Sequence, residues 1–323
     1  MANNIYSFLI SFAVVAVSGF FVIPLLKKIK AGQPILSYVS EHKGKSGTPT
    51  FGGLFFIFPC LAVGLIFTGV SYTVVNMTVS ITVAFAVLGF LDDFIKIKTR
   101  NNQGLKSYQK IVFQTAISII IGVFVYKNGL TQIFIPFVNK SVDFGACIIP
   151  FSMLLFIALT NSVNLTDGLD GLASSVSIVY LAVFVVLMYF EISFFGIYDV
   201  NGIFVLCFCF MGGLLGFLVF NFNKAKVFMG DTGSLGLGGF LGCISVFSGN
   251  SLFVLFVGIT FVFSSISVIL QVIYFKRTGK RIFLMAPFHH HLQHKGLTEG
   301  KICFFYSLVT LLMGVGCLIS FIV

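Results

Sequence analysis

Charge is the first thing this sequence lacks. Only 9% of its 323 residues are charged, against about a quarter in an ordinary soluble domain, so a soluble globular fold is excluded. Tryptophan is absent, which leaves interfacial anchoring to Tyr and Phe. No CxxC pair occurs, and the cysteines Cys60, Cys147, Cys207, Cys209, Cys243, Cys303 and Cys317 all lie in or beside apolar runs. They read as small hydrophobes, which argues against a disulfide framework or a thiolate metal site. No soluble segment is long enough to carry a groove for nucleic acid, so the net charge of +10 must serve another partner. No charged residue or histidine falls near the middle of a long apolar run. Ion pumps and proton-coupled transporters usually carry such groups at mid-depth, so that class is disfavoured. The first run has no A-x-A-like cleavage site and is long for a signal-peptide core, so it is expected to be retained.

Apolar residues are what the chain has: 58% of the sequence, with a mean hydropathy of +1.06. A bilayer-spanning helix needs about 20 such residues. Runs near that length fall at 5–26, 51–69, 73–91, 110–126, 146–162, 172–190, 202–220, 234–248, 251–275 and 302–323. The expected fold is therefore all-α: one polytopic integral membrane domain over residues 1–323, with about ten transmembrane helices. Cations set the orientation. Of the 20 Lys and Arg, 18 fall in the odd-numbered loops, and the even-numbered loops hold only Lys127 and Lys140. The odd loops are thus expected in the cytoplasm and both termini outside it. The positive face can meet anionic headgroups or anionic substrates.

The acids collect at the ends of the runs. Glu41, Asp92, Asp93, Asp167, Asp170, Asp231 and Glu299 share the cationic face, five of them close to an apolar run. Helix capping accounts for one or two of these; five in three loops point to a site. In VLGFLDDFIKIK (87–98), adjacent Asp92 and Asp93 repel unless a cation holds them. They diverge by about 100° on a helix, so one metal is not easily chelated equally by both. Asp92 and Lys96 share a helical face. Carboxylate with ammonium suits a divalent ion plus phosphate, although a solvated helix end gives the same pattern.

NSVNLTDGLDGLASS (161–175) sets Asn161, Asn164, Asp167 and Asp170 at three-residue spacing after an apolar run, without a cation. Such a run can bind a nucleobase, a ribose or metal-bound water, and Asp170 could cap the next helix. In NFNKAKVFMGDTGSLGLGG (221–239), Gly230 and Asp231 precede a helix expected from about Ser234. Its N-terminus is a candidate phosphate seat, Asp231 a candidate ion ligand and Phe228 a candidate stacking surface; a capped helix with packing glycines is the plain alternative. APFHHHLQHKGLTEGK (286–301) holds four of the five histidines. Three in a row diverge on helix or strand, so a phosphate- and sugar-binding lid fits better than a transition-metal site. KGKSGTPTFGG (43–53) adds Lys43, Lys45, Thr48 and Thr50 before the second helix.

TPTFGG, LGFLDDFIKI, NSVNLTDGLDGLA, VFMGDTGSL and APFHHHLQHKG together resemble, in order and over essentially the whole chain, the polyprenyl-phosphate N-acetylhexosamine-1-phosphate transferases. TPTFGG and the triple histidine after Pro287 point to the muramoyl-pentapeptide branch; Phe51, where the family often has Met, is a local departure. The resemblance implies ten transmembrane helices in the bacterial cytoplasmic membrane, a Mg2+-dependent site on its cytoplasmic face, and a homodimer. It implies transfer of phospho-MurNAc-pentapeptide from UDP-MurNAc-pentapeptide to undecaprenyl phosphate, giving lipid I and UMP. Asp92 and Asp93 would be the acidic pair, Asp231 the Mg2+ ligand, and Lys96 a phosphate contact. Asn164, Asp167, Asp170, Phe228 and Gly230 would line the uridine pocket, and Asn161 would also bind substrate. Gln271, Ala286, His289, His290 and His291 would border the nucleoside-sugar end, with Lys45, Thr50 and Lys110 also binding substrate. A sister enzyme using UDP-GlcNAc is the nearest alternative, and a nucleotide-sugar or lipid-linked-sugar transporter the alternative from another class.

Overall fold

In a computed structural model, residues 2–28, 47–69, 73–101, 103–138, 140–195, 201–319 and 321 are described, 191–195 as backbone only. Lys45, with Lys30, Lys43 and Glu41, lies outside the described residues. The helices are α1 (Ala2–Lys28), α2 (Gly52–Thr68), α3 (Thr73–Thr99), α4 (Ser107–Lys127), α5 (Ile148–Thr166), α6 (Leu172–Phe195), α7 (Asn201–Asn221), α8 (Gly230–Phe247), α9 (Val254–Val257), α10 (Ile259–Thr278), α11 (Phe288–His294) and α12 (Glu299–Ile319). All ten expected runs carry helix. Among the described residues, eight helices are long and apolar enough to cross a membrane; α2 is shorter, and α8, rich in glycine, is not among the eight. The chain is an all-α polytopic membrane protein.

The core is built around α7 and α8. From Thr232 to Phe247 every residue of α8 is buried. It packs against α2, α3 and α5, while α7 packs against α1, α2 and α6. Small residues let helices approach closely where hydrocarbon outside gives no hydrophobic drive to pack. The Phe210 and Phe240 rings, from α7 and α8, stack at a centroid distance of 3.6 Å.

Several boundaries differ from the apolar runs, because a helix continues past the hydrocarbon wherever polar side chains find partners. α3 runs two turns beyond residue 91, and α5 one turn beyond 162. The run at 251–275 is not one helix: α9 stops at Gly258, and α10 continues to Gly279, whose left-handed conformation (φ 69) closes it. The α4–α5 connection folds as an antiparallel hairpin, β1 (Gln132–Ile135) with β2 (Lys140–Asp143). Phe134 on β1 stacks on Phe253 and Phe321 at 5.8 and 5.2 Å. The histidine tract forms the short helix α11.

Candidate active site

The two turns that α3 adds beyond its apolar run carry Asp92, Asp93 and Lys96 to the N-terminal end of α8. Gly89 permits this approach, since a Cβ there would collide with the carbonyl of Asp231. Asp93 is fully buried and holds α8 by its first turn. The Thr232 N–H donates to Asp93 Oδ2 at 2.9 Å, the Thr232 hydroxyl to the same oxygen at 2.8 Å, and the Asp231 N–H to Oδ1 at 3.2 Å. A carboxylate is favourable here because helix N-termini carry unsatisfied donors and partial positive charge. The expected phosphate seat is thus taken by a side chain of α3. Asp231 sits inside the first turn of α8, which begins at Gly230 rather than near Ser234.

Asp92, also fully buried, faces the lysines. Lys96 Nζ lies 2.7 Å from Asp92 Oδ2 and 3.3 Å from Asp231 Oδ2. Lys110, from the first turn of α4, lies 3.0 Å from Asp92 Oδ1 and 2.7 Å from Asp231 Oδ2. The Leu105 N–H donates to Asp92 Oδ1 at 2.7 Å. Gly104 lies so close that any Cβ would meet the same carboxylate. Buried carboxylates are costly unless paired and hydrogen-bonded, and two ammonium groups and an amide meet that need. Asn164 donates to Asp231 Oδ1 at 3.0 Å and to Ser234 Oγ at 2.8 Å.

One oxygen each from Asp92, Asp93 and Asp231 lies within 4.8 Å of the others. Hard oxygen donors at this spacing suit a divalent cation. Asp93 is held by the backbone and Thr232 of α8, whereas Asp92 and Asp231 are held largely by the mobile ammonium groups of Lys96 and Lys110, so these two are the donors that can turn toward an ion.

Two cavities meet at Asn164 and Asp231. The smaller, about 220 Å³, is walled by Thr50, Asp167, Asp170, Asn221 and Phe228. The Thr50 hydroxyl, buried beside this cavity, has no hydrogen-bond partner among the described residues. Burial, and then repulsion from Asp231, Asp93 and Asp170, pushes the Asp167 carboxyl well above the usual carboxylate range. The larger cavity, about 930 Å³, is lined by Lys96, Lys106, Lys110, Asn101, Gln103 and Asn161, with Ile95 and Ile111 among its apolar walls.

Asn161 and Asn164 stand on the last turns of α5, not in a loop after it. Asn161 exchanges amide hydrogen bonds with buried Gln114 on α4, at 2.8 Å in one direction. The Asp170 carboxylate accepts from the Ala225 N–H at 2.8 Å, and its own N–H donates to Glu299 Oε2 at 2.9 Å. Gly230 lies against Thr50 and Asp93.

The histidines diverge as expected of consecutive residues. His289 is buried, and it and His290 back Gly168 of the smaller cavity. His291 turns away to accept from the Leu284 N–H at 3.1 Å and to stack on Phe288. Partial burial, then Lys295 and His294, hold its pKa below the ordinary value. Gln271 and Ala286 line neither cavity. The Gln271 amide instead ties down the backbone of Ile282 and Phe283, at 3.0 and 2.9 Å.

Sequence reasoning did not single out Thr232, Gln114, Asn221 or the strap 103–107. Asn221 accepts from the Gly171 N–H and donates to the Val227 carbonyl, both at 3.0 Å, joining the two loops that frame the smaller cavity. The signal for the strap was present: amides and one glycine in NNQGLKS, between cations and beside the paired acids.

The family model described as glycosyl transferase family 4 matches residues 74–249. The phospho-N-acetylmuramoyl-pentapeptide-transferase of Clostridium novyi (strain NT) is 42% identical over 325 residues, covering 100% of this chain and 97% of the relative. That of Clostridium botulinum (strain Alaska E43 / Type E3) is 43% identical over 316 residues, covering 97% and 94%. That of Listeria monocytogenes serotype 4b (strain CLIP80459) is 42% identical over 302 residues, covering 92% and 91%.

Proposed function

This chain belongs to the phospho-N-acetylmuramoyl-pentapeptide-transferases of glycosyl transferase family 4, and on that premise we propose how its acid–lysine cluster performs the transfer. Phospho-MurNAc-pentapeptide passes from UDP-MurNAc-pentapeptide to undecaprenyl phosphate, giving lipid I and UMP. One reactant is held by its lipid tail and the other is dissolved, so the acids that serve both belong where helices leave the bilayer. The observation that carries this reading is the convergence of Asp92, Asp93, Asp231, Lys96 and Lys110 where two chemically different cavities meet.

The smaller cavity receives the uridine. Phe228 offers a face for the base, and Thr50, Asp167, Asp170 and Asn221 offer polar groups for base and ribose. The larger, cationic cavity receives phosphate. Lys96 and Lys110 neutralise Asp92 and Asp231, and each ammonium can exchange a carboxylate for a phosphate oxygen. Phosphoryl transfer of this kind depends on positioning and electrostatic stabilisation. Asp231 and Asp92 would hold Mg2+, which when bound supplies positive charge to the diphosphate. Asp92 takes the remaining proton, if any, from the lipid phosphate, whose oxygen attacks the phosphorus next to the sugar as the bond to UMP breaks. Asn164 keeps Asp231 oriented through Oδ1. His289 and His290 support the sugar end by packing on Gly168.

Residues 1–323 act as one transferase unit, since the site draws side chains from α3 through α8 and is backed by α11. The unit is placed in the bacterial cytoplasmic membrane with the cluster facing the cytoplasm, as a homodimer; the family resemblance supports both statements. Purified full chain given undecaprenyl phosphate, Mg2+ and UDP-MurNAc-pentapeptide should release UMP. Release from UDP-GlcNAc and not from the pentapeptide donor would overturn the sugar assignment. Mass measurement in detergent tests the dimer, and a single-copy mass would refute it.

A further inference from the structure

The C-terminal half of α10 leaves the bundle. Its buried residues are Thr260, Phe261, Ser264 and Ser267, all in the first half. Val272, Ile273, Tyr274 and Phe275 are 46, 46, 40 and 50% exposed in succession. Successive helical residues are about 100° apart, so this turn is apolar and uncovered on every side. Lys276, Arg277, Lys280 and Arg281 follow directly, and among the described residues none of the four forms an ion pair. No acidic residue occurs between Asp231 and Glu299 to balance them. Gln271 holds the returning strand of chain at Ile282 and Phe283, and that strand leads to α11 behind the smaller cavity. The projection therefore lies on the same side of the protein as the acid cluster.

We propose that the projecting end of α10 is a docking surface for anionic phospholipid in the leaflet that borders the active site. The ring Val272–Phe275 sits in hydrocarbon, which removes the cost of exposing it to water. Lys276, Arg277, Lys280 and Arg281 sit at headgroup depth, where basic residues are attracted to an anionic surface. Charge complementarity selects phosphatidylglycerol-type headgroups over zwitterionic ones. This surface is separate from Asp92, Asp231, Lys96 and Lys110, and it does not depend on which nucleotide-sugar the site uses.

The absence of tryptophan makes a direct test possible. Tyr274→Trp places a single indole on the exposed turn, and Phe275→Trp provides a second reporter if the first folds poorly. The full chain is reconstituted without prenyl phosphate in phosphatidylcholine vesicles that contain, at equal mole fraction, brominated phosphatidylglycerol or brominated phosphatidylcholine. Brominated phosphatidylglycerol should quench about twofold more or better, and added salt should shrink the difference. Changing Lys276, Arg277, Lys280 and Arg281 together to Gln should equalise the two lipids. Leu312→Trp, on the exposed face of α12, should show no preference with the cations intact. Equal quenching at position 274 or 275, or a preference that survives the four Gln substitutions, would overturn the proposal. Quenching by neither lipid would overturn it too, because a second copy or another protein then covers the turn.

Discussion

The two cavities that meet at Asp231 differ in charge, and that difference is the clearest statement the molecule makes about its reaction. One is small, walled by Asp167, Asp170, Asn221 and Phe228, and among the described residues has no cation in its wall. The other is larger and carries Lys96, Lys106 and Lys110. A group bound in the first must supply hydrogen-bonding edges and a flat face; a group bound in the second must be an anion. A nucleotide-sugar has both kinds of group joined through its diphosphate, so the boundary between the cavities is where the bond to be broken should lie. Asp231 occupies that boundary, which explains why it alone touches both lysines and the amide of Asn164.

The comparison can be broken most severely at the boundary. Asp231→Asn and Asp92→Asn should each lower turnover by at least about 10³-fold, the upper range for removing one preorganised electrostatic partner; UMP release close to the parent's in either variant would remove that residue from the chemistry. Next comes the cationic side. Lys110→Ala should lower kcat by about 10²-fold while leaving uridine nucleotide binding near the parent's, and a loss confined to KM would contradict the division of labour. In the smaller cavity, Phe228→Ala should weaken UMP binding by about 1–3 kcal/mol, measured as inhibition by UMP, with a smaller change in kcat.

The mildest effect is on pH. Burial and neighbouring acids raise the Asp167 pKa, so the folded chain holds that proton more tightly than the unfolded chain does. Asp167 therefore favours folding most at low pH, and its contribution declines as pH rises from the ordinary carboxylate value, about 3.9, through the raised one. Ionisation also puts negative charge beside an anionic ligand, so nucleotide affinity should fall as pH rises through the raised pKa. Asp167→Asn should flatten that limb; an unchanged profile would assign it elsewhere.

Much of this was legible in the sequence, for identifiable reasons. Apolar runs report hydrocarbon contact, and all ten carry helix. They do not report where a helix ends once polar partners are available, so α3 and α5 were drawn short and Asn161 and Asn164 were assigned to a loop. Motif order grouped Asp92, Lys96, Asp231 and Phe228 as one set, and the structure sets Lys96 against Asp92 and Asp231, with Phe228 and Asp231 lining one cavity. Spacing along the chain could not show that the two acids of the pair face different neighbours. Asp93 is turned to the Thr232 amide and hydroxyl, while Asp92 is turned to Lys96 and Lys110. Lys110 is one basic residue among many on a positive face; the resemblance names it as a substrate contact, and the packing of α4 beside α3 sets it against Asp92 and Asp231. Gln271 reads as a polar residue near a motif, yet its amide is occupied by backbone. The hairpin at 132–143 is eight paired residues without the alternation of a half-buried strand, too short to stand out beside ten helices.

Manganese binding tests the central claim most directly, because Mn2+ takes the same oxygen donors as Mg2+ and is read by electron paramagnetic resonance without turnover. The purified full chain with UMP present should bind Mn2+, Asp231→Asn should lose that binding, and Asp92→Asn should weaken it. Asp93→Asn that remains folded should retain most of it, since its carboxylate serves α8. Mn2+ bound by Asp231→Asn as tightly as by the parent would contradict a cation site built on the meeting of α3 and α8.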